Sequence, residues 1–255
     1  MILAPFVILA IYPGGWIYAS FVAVCLTLGM REWLEMTAPA ASFAVRSAAF
    51  AALLLALAAG FWEFVDYGIA VVIALTPTVF LLAMKEGAGK AAWTALGVPY
   101  LAASGLALIY LRADPEKGMF LVVYLVTIVW ATDIGAFVSG RLIGGPKLLP
   151  EISPKKTWAG LLGGLVFAAL AGYCAALVFG AAKPFTAGVF SIALAAAAQT
   201  GDMFESFVKR LHGVKDSGAL IPGHGGILDR IDGLIFASVF FALFQRAAGW
   251  SLNWW

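Results

Sequence analysis

Apolar residues run through the chain in long stretches, interrupted by short charged or Gly/Pro stops. Each stretch approaches the roughly 20 residues that span about 30 Å of hydrocarbon. The pattern predicts helices over residues 2–12, 15–30, 43–60, 66–84, 94–112, 118–141, 157–180, 184–211 and 229–248. Pro13, Gly14 and Gly15 divide the first two, which read either as a broken hairpin or as one kinked span, so the count is eight or nine. No polar stretch is long enough to fold as a separate soluble domain. Residues 1–255 therefore read as one domain: an all-α integral membrane protein, a polytopic bundle of eight or nine transmembrane helices.

Composition strengthens this reading. Of 255 residues, 63% are hydrophobic and 12% charged, with mean hydropathy +0.96, far from a soluble mixture. A net charge of +2 is too small to coat a polyanion, so nucleic acid is not an expected partner. Cys25 and Cys174 lie inside apolar runs without metal-ligand spacing, and no disulfide is expected. No Lys or Arg precedes Arg31; the N-terminal apolar run lacks the basic flank of a secretory signal and reads as membrane-embedded.

Charge position sets the orientation. Twelve of the 16 Lys and Arg fall in one set of alternate loops, leaving Arg112, Lys117, Lys183 and Arg246 in the other. Positive residues favour the cytoplasmic side, so the long polar loops after the sixth and eighth helices are expected to face the cytoplasm. Half of all charged residues lie in 132–156 and 202–232. Loops that served only solubility would spread their charge more widely, and the clustering points to a polar site at that face.

Asp133 and Asp202 each follow a long apolar or small-residue run. An Asp at a helix centre costs about 2.5–3.5 kcal/mol to insert and is normally matched by a partner, a cavity or an ion. Asp202, Glu205, Ser206 and Lys209 fall on one helical face, and Asp229 and Asp232 are one turn apart at the start of the last helix. Such hard oxygens suit Mg2+, which is usually completed by water and substrate phosphates. Pairing with a neighbouring Lys or Arg explains a single acid equally well, and Asp229 alone would read as a helix cap.

Lys155, Lys156, Lys209, Arg210, Lys215 and Arg230 supply cations for phosphate oxygens. The run from Pro222 to Gly226, with His224, Gly225 and Gly226, offers backbone amides that could approach an anion closely.

From Ser206 to Asp232 the chain reads SFVKRLHGVKDSGALIPGHGGILDRID. These 27 positions resemble, without interruption, the signature of the phosphatidate cytidylyltransferases, or CDP-diacylglycerol synthases. DIGAF at 133–137, GR at 140–141 and SPKKTW at 153–158 are similar to a second block of that family. The resemblance implies transfer of CMP from CTP to phosphatidate, giving CDP-diacylglycerol and pyrophosphate. It also implies Mg2+ with a second cation such as K+, a homodimer, and placement in a bacterial inner (plasma) membrane. Asp202, Asp229 and Asp232 would carry the metal, and Lys209, Arg210, Lys215 and Arg230 the phosphates. Asp133, Ser153, Lys155, Lys156 and Thr157 would complete the pocket, with Ser206, Asp216, His224, Gly225 and Gly226 contributing from the motif. The catalytic set on this reading is Asp202, Lys209, Asp229, Arg230 and Asp232, within polar segments 132–157 and 202–232.

Two other readings share part of this pattern. Asp229-Arg230-Ile231-Asp232-Gly233 imitates the opening of the CDP-alcohol phosphotransferase motif, but Phe236-Ala237 stands where that motif needs Ala-Arg. A transporter or flippase for anionic lipid headgroups would also place acids and cations near one membrane face. It would not require a constellation for a metal and a triphosphate.

Overall fold

The computed structural model describes the backbone of residues 3–62, 65–220 and 225–247. Nine α-helices occur among them: α1 (Leu3–Ile11), α2 (Gly15–Thr37), α3 (Phe43–Phe61), α4 (Val65–Ala83), α5 (Ala88–Ala113), α6 (Gly118–Leu142), α7 (Trp158–Val178), α8 (Pro184–Leu211) and α9 (Leu228–Ala247). Six of them, α2 through α7, are long and apolar enough to cross a membrane, α4 together with the 3-10 turn at Met84–Glu86 that extends it. The chain is an all-α integral membrane protein.

Besides the start of α5 at Ala88, six residues before the expected 94, two features depart from the expected elements. Helix α2 continues past residue 30 to Thr37, with Glu32, Trp33, Leu34, Met36 and Thr37 buried on one side and Arg31 paired with Glu35 at 2.7 Å on the other. The segment between α6 and α7 contains an antiparallel hairpin, β1 (Lys147–Leu149) with β2 (Ser153–Thr157), with Leu149 opposite Ser153 and Lys147 opposite Thr157.

The chain forms two compact units. The first comprises Met1–Met119 and Leu211–Ile231. Its centre is α5, most of whose apolar window is buried and which packs against α2, α3 and α4. Small residues allow that approach: Gly97 of α5 faces the Trp33 indole, whose Nε1 donates to the Trp93 carbonyl at 2.9 Å. The buried side chains of Leu26 and Leu57 close on Gly105 of the same helix. At the opposite end, Arg112 Nε donates to the Ile11 carbonyl at 3.0 Å, meeting a C-terminal carbonyl of α1 that lacks a helical donor.

The second unit comprises Phe120–Arg210 and Asp232–Trp255. Here α6 and α7 meet through Gly135, Gly140, Gly160 and Gly163, where an added Cβ would strike or crowd the facing helix. Tyr124 on α6 reaches α8, with its hydroxyl 2.6 Å from both the Ala187 carbonyl and Ser191 Oγ. Gly201 on α8 and Gly233 on α9 let those helices approach; a Cβ at Gly201 would lie 3.1 Å from Phe236 Cβ. That approach brings the Asp202 and Asp232 segments together.

Candidate active site

The second unit gathers the larger group of expected site residues. Lys156 on β2 forms an ion pair with Asp202 on α8, Nζ to Oδ2 at 2.6 Å, with both side chains about a quarter to a third exposed. Thr157, the next residue, caps α7 by accepting from Gly160 N at 3.0 Å. The same hairpin is tied to the end of α8 by Arg210 Nε, which donates to the Ile152 carbonyl at 3.3 Å. Ser153 and Ser206 are half-buried, and Lys155 is exposed.

One turn beyond Asp202, Glu205 is 0% and Lys209 8% exposed, and Lys209 Nζ donates to Glu205 Oε1 at 3.1 Å. Loss of either partner of such a buried pair would strand the other's charge at a cost of about 3–5 kcal/mol. Asp232 at the start of α9 lies in the combined field of Asp202, Glu205 and Asp133, and its Oδ1 accepts from the Gly233 amide at 2.7 Å. Four acids from α6, α8 and α9 therefore act on one region, with the ammonium groups of Lys156 and Lys209 set among them.

The first unit organises the remaining residues around Asp229. Its Oδ2 accepts from Gly226 N at 2.9 Å, Ser217 N at 3.0 Å and Ser217 Oγ at 2.9 Å. The glycine loop thus does turn a backbone amide toward an anion, and the anion it meets here is the chain's own carboxylate. Gly225 has φ +85°, and a Cβ there would come within 2.9 Å of Asp229 Oδ2; both facts require glycine. Lys215, Asp216 and Arg230 are exposed. His224 lies outside the described residues.

Sequence reasoning missed Glu32. Its carboxylate is 4% exposed and accepts from Ile227 N and Leu228 N, each at 2.9 Å, and from Ser217 Oγ at 3.1 Å. The helical spacing of Glu32 with Trp33, Leu34 and Met36, opposite the Arg31 and Glu35 pair, was the available signal that α2 continues and buries an acid.

Among the described residues, no three His, Cys, Asp or Glu side chains meet in a geometry able to hold a metal ion by themselves. The donors present at Asp202 and Asp232 are hard carboxylate oxygens in a region of excess negative charge, which fits a hard divalent cation bound through one or two carboxylates.

Residues 1–248 match the model of the Cytidylyltransferase family. A protein of Brucella suis biovar 1 (strain 1330) named phosphatidate cytidylyltransferase is 45% identical over 160 residues, covering 63% of this chain and 58% of that protein. Proteins of the same name from Haemophilus influenzae and Staphylococcus haemolyticus are 44% identical over 136 residues and 39% over 151, covering 51% and 57% of this chain. The chain thus spans about half the length of these relatives, from 47% to 58%. With a family match that covers nearly its whole length, the chain belongs to the cytidylyltransferase family.

Proposed function

We propose that this protein is a phosphatidate cytidylyltransferase, transferring CMP from CTP to phosphatidate. The observation that carries the reading is the gathering of Asp202, Glu205, Asp232 and Asp133 with Lys156 and Lys209 within the second unit. The names of the similar proteins and the Ser206–Asp232 motif support it.

Chemically, the reaction needs no protein nucleophile. A phosphate oxygen of phosphatidate attacks the α phosphorus of CTP, a new P–O bond forms, and the bond to the bridging oxygen breaks to release pyrophosphate. Catalysis reduces to bringing two anions into line and stabilising charge as it develops. Asp202 and Asp232 would hold Mg2+, which when bound supplies charge neutralisation at the polyphosphate oxygens. Lys156 keeps Asp202 oriented and presents an ammonium group beside it. Lys209, fixed by Glu205, offers a second cation from the same helix. Arg210, anchored to the Ile152 carbonyl, holds the hairpin against the end of α8.

The asymmetry of basic residues supports a cytoplasmic site in a bacterial inner membrane, where CTP is available, and the reading includes a homodimer. Purified protein given CTP, phosphatidate and Mg2+ should yield CDP-diacylglycerol. A lipid that changes leaflet but stays chemically intact would instead identify a transporter.

A further inference from the structure

Glu32 is a buried acid with no part in the chemistry above. Taking a carboxylate out of water costs several kcal/mol unless donors replace the lost hydration. The Ile227 and Leu228 amides do so, helped by the Ser217 hydroxyl whose proton Asp229 shares. Both amides open α9, where helical N–H groups lack intrahelical acceptors and the helix dipole favours negative charge. Glu32 is therefore an N-terminal cap supplied by a different helix, almost 200 residues earlier in sequence.

The same loop holds Asp229. Ser217 Oγ lies 3.1 Å from Glu32 Oε2 and 2.9 Å from Asp229 Oδ2, so its one hydroxyl proton is shared between the two carboxylates. Gly226 gives its amide to Asp229, while the next two amides go to Glu32. The absence of side chains at Gly218 and Gly226 is what admits Glu32: a Cβ at Gly218 would lie 2.7 Å from Oε1, and one at Gly226 would meet Oε2 and Ser217 Oγ. The two backbone amides facing Glu32 can only donate, one to each carboxylate oxygen. A glutamine has one acceptor oxygen and an NH2, so it would set donor against donor.

We infer that Glu32 is a positioning residue, which by gripping Ser217, Ile227 and Leu228 fixes the direction in which the motif loop presents Asp229. This rests on the reading of Asp229 as part of the cytidylyl-transfer machinery.

Amide hydrogen exchange on the protein in nanodiscs, without nucleotide or metal, tests the grip. In Glu32→Gln, exchange at Ile227 and Leu228 should rise about tenfold or more, with Leu101–Leu111 keeping wild-type protection. With CTP, phosphatidate and Mg2+, kcat should fall about 100-fold, the loss expected from a small misplacement, while KM for CTP changes by less than about threefold. Glu32→Asp keeps two acceptors but shortens the reach and should fall between wild type and Gln in both measurements; it also serves if the Gln variant does not fold. Wild-type exchange in Glu32→Gln, a loosened loop with wild-type kcat, or a Glu32→Asp variant indistinguishable from wild type in both would each overturn the inference. Absence of cytidylyl transfer in the wild-type protein would instead overturn the reading of function, and the exchange measurement would still decide whether Glu32 holds the loop.

Discussion

Lys156 Nζ lies 2.6 Å from Asp202 Oδ2, so the short hairpin before α7 and the polar half of α8 are joined by one ion pair within the second unit. Lys156 Nζ makes no well-aligned hydrogen bond, so the contact is chiefly electrostatic, and with the two side chains 25% and 33% exposed it contributes about 1 kcal/mol or less.

The pairing predicts an opposition between Lys156 and a cation at Asp202. Lys156→Gln removes the competing positive charge, so the Mg2+ concentration giving half-maximal turnover should fall about two- to fivefold, the equivalent of that energy. Maximal turnover should fall as well, since an ammonium group is lost from the site. Titrating activity against Mg2+ checks this, and a higher Mg2+ requirement would show that Lys156 supports metal binding.

Asp229→Asn changes charge with little change in volume. Turnover should be abolished, while thermal unfolding in detergent shifts only by the loss of charge-assisted bonds at the start of α9, about 1–2 kcal/mol. Near-normal turnover would remove Asp229 from the machinery.

Gly218 and Gly213 separate two reasons for glycine. Gly218→Ala drives a Cβ toward the Glu32 carboxylate and should destabilise the motif loop by about 1–3 kcal/mol, as overpacking does. Gly213 has φ +72° but open space around it, so Gly213→Ala should cost only the backbone strain, about 1 kcal/mol. Denaturation midpoints of the two variants, read beside activity, distinguish them; equal activity loss would contradict the packing argument.

These contrasts also mark where the sequence was legible. Long apolar runs with Gly and Pro stops placed every helix start within six residues, because burial in lipid demands continuous backbone pairing that only local sequence can supply. The face shared by Asp202, Glu205 and Lys209 was readable for the same reason: it repeats at helical spacing. For Glu32 the local pattern could show only a buried acid on the continuing helix α2; its partners lie 185 to 196 residues away and no local pattern encodes them. The β1–β2 hairpin escaped notice because its strands have three and five residues, contain Pro154 and carry no run of β-branched residues. Ser217, in the polar loop after α8, is only 6% exposed because it joins the two carboxylates.

Topology can be tested with cysteines at exposed positions in a background lacking Cys25 and Cys174. Ala219→Cys should resist an impermeant thiol reagent added outside intact cells and react once the cytoplasmic face is opened, whereas Lys183→Cys should react from outside. The reverse pattern would place the motif loop on the side opposite to its CTP.

The central claim is cytidylyl transfer, and the fate of the separate phosphates of CTP tests it most directly. Purified protein in phosphatidate-containing vesicles with Mg2+ should place label from the α position of CTP in the lipid product and label from the γ position in pyrophosphate, in equal amounts. Label from the γ position in the lipid, or none from the α position, would contradict the account.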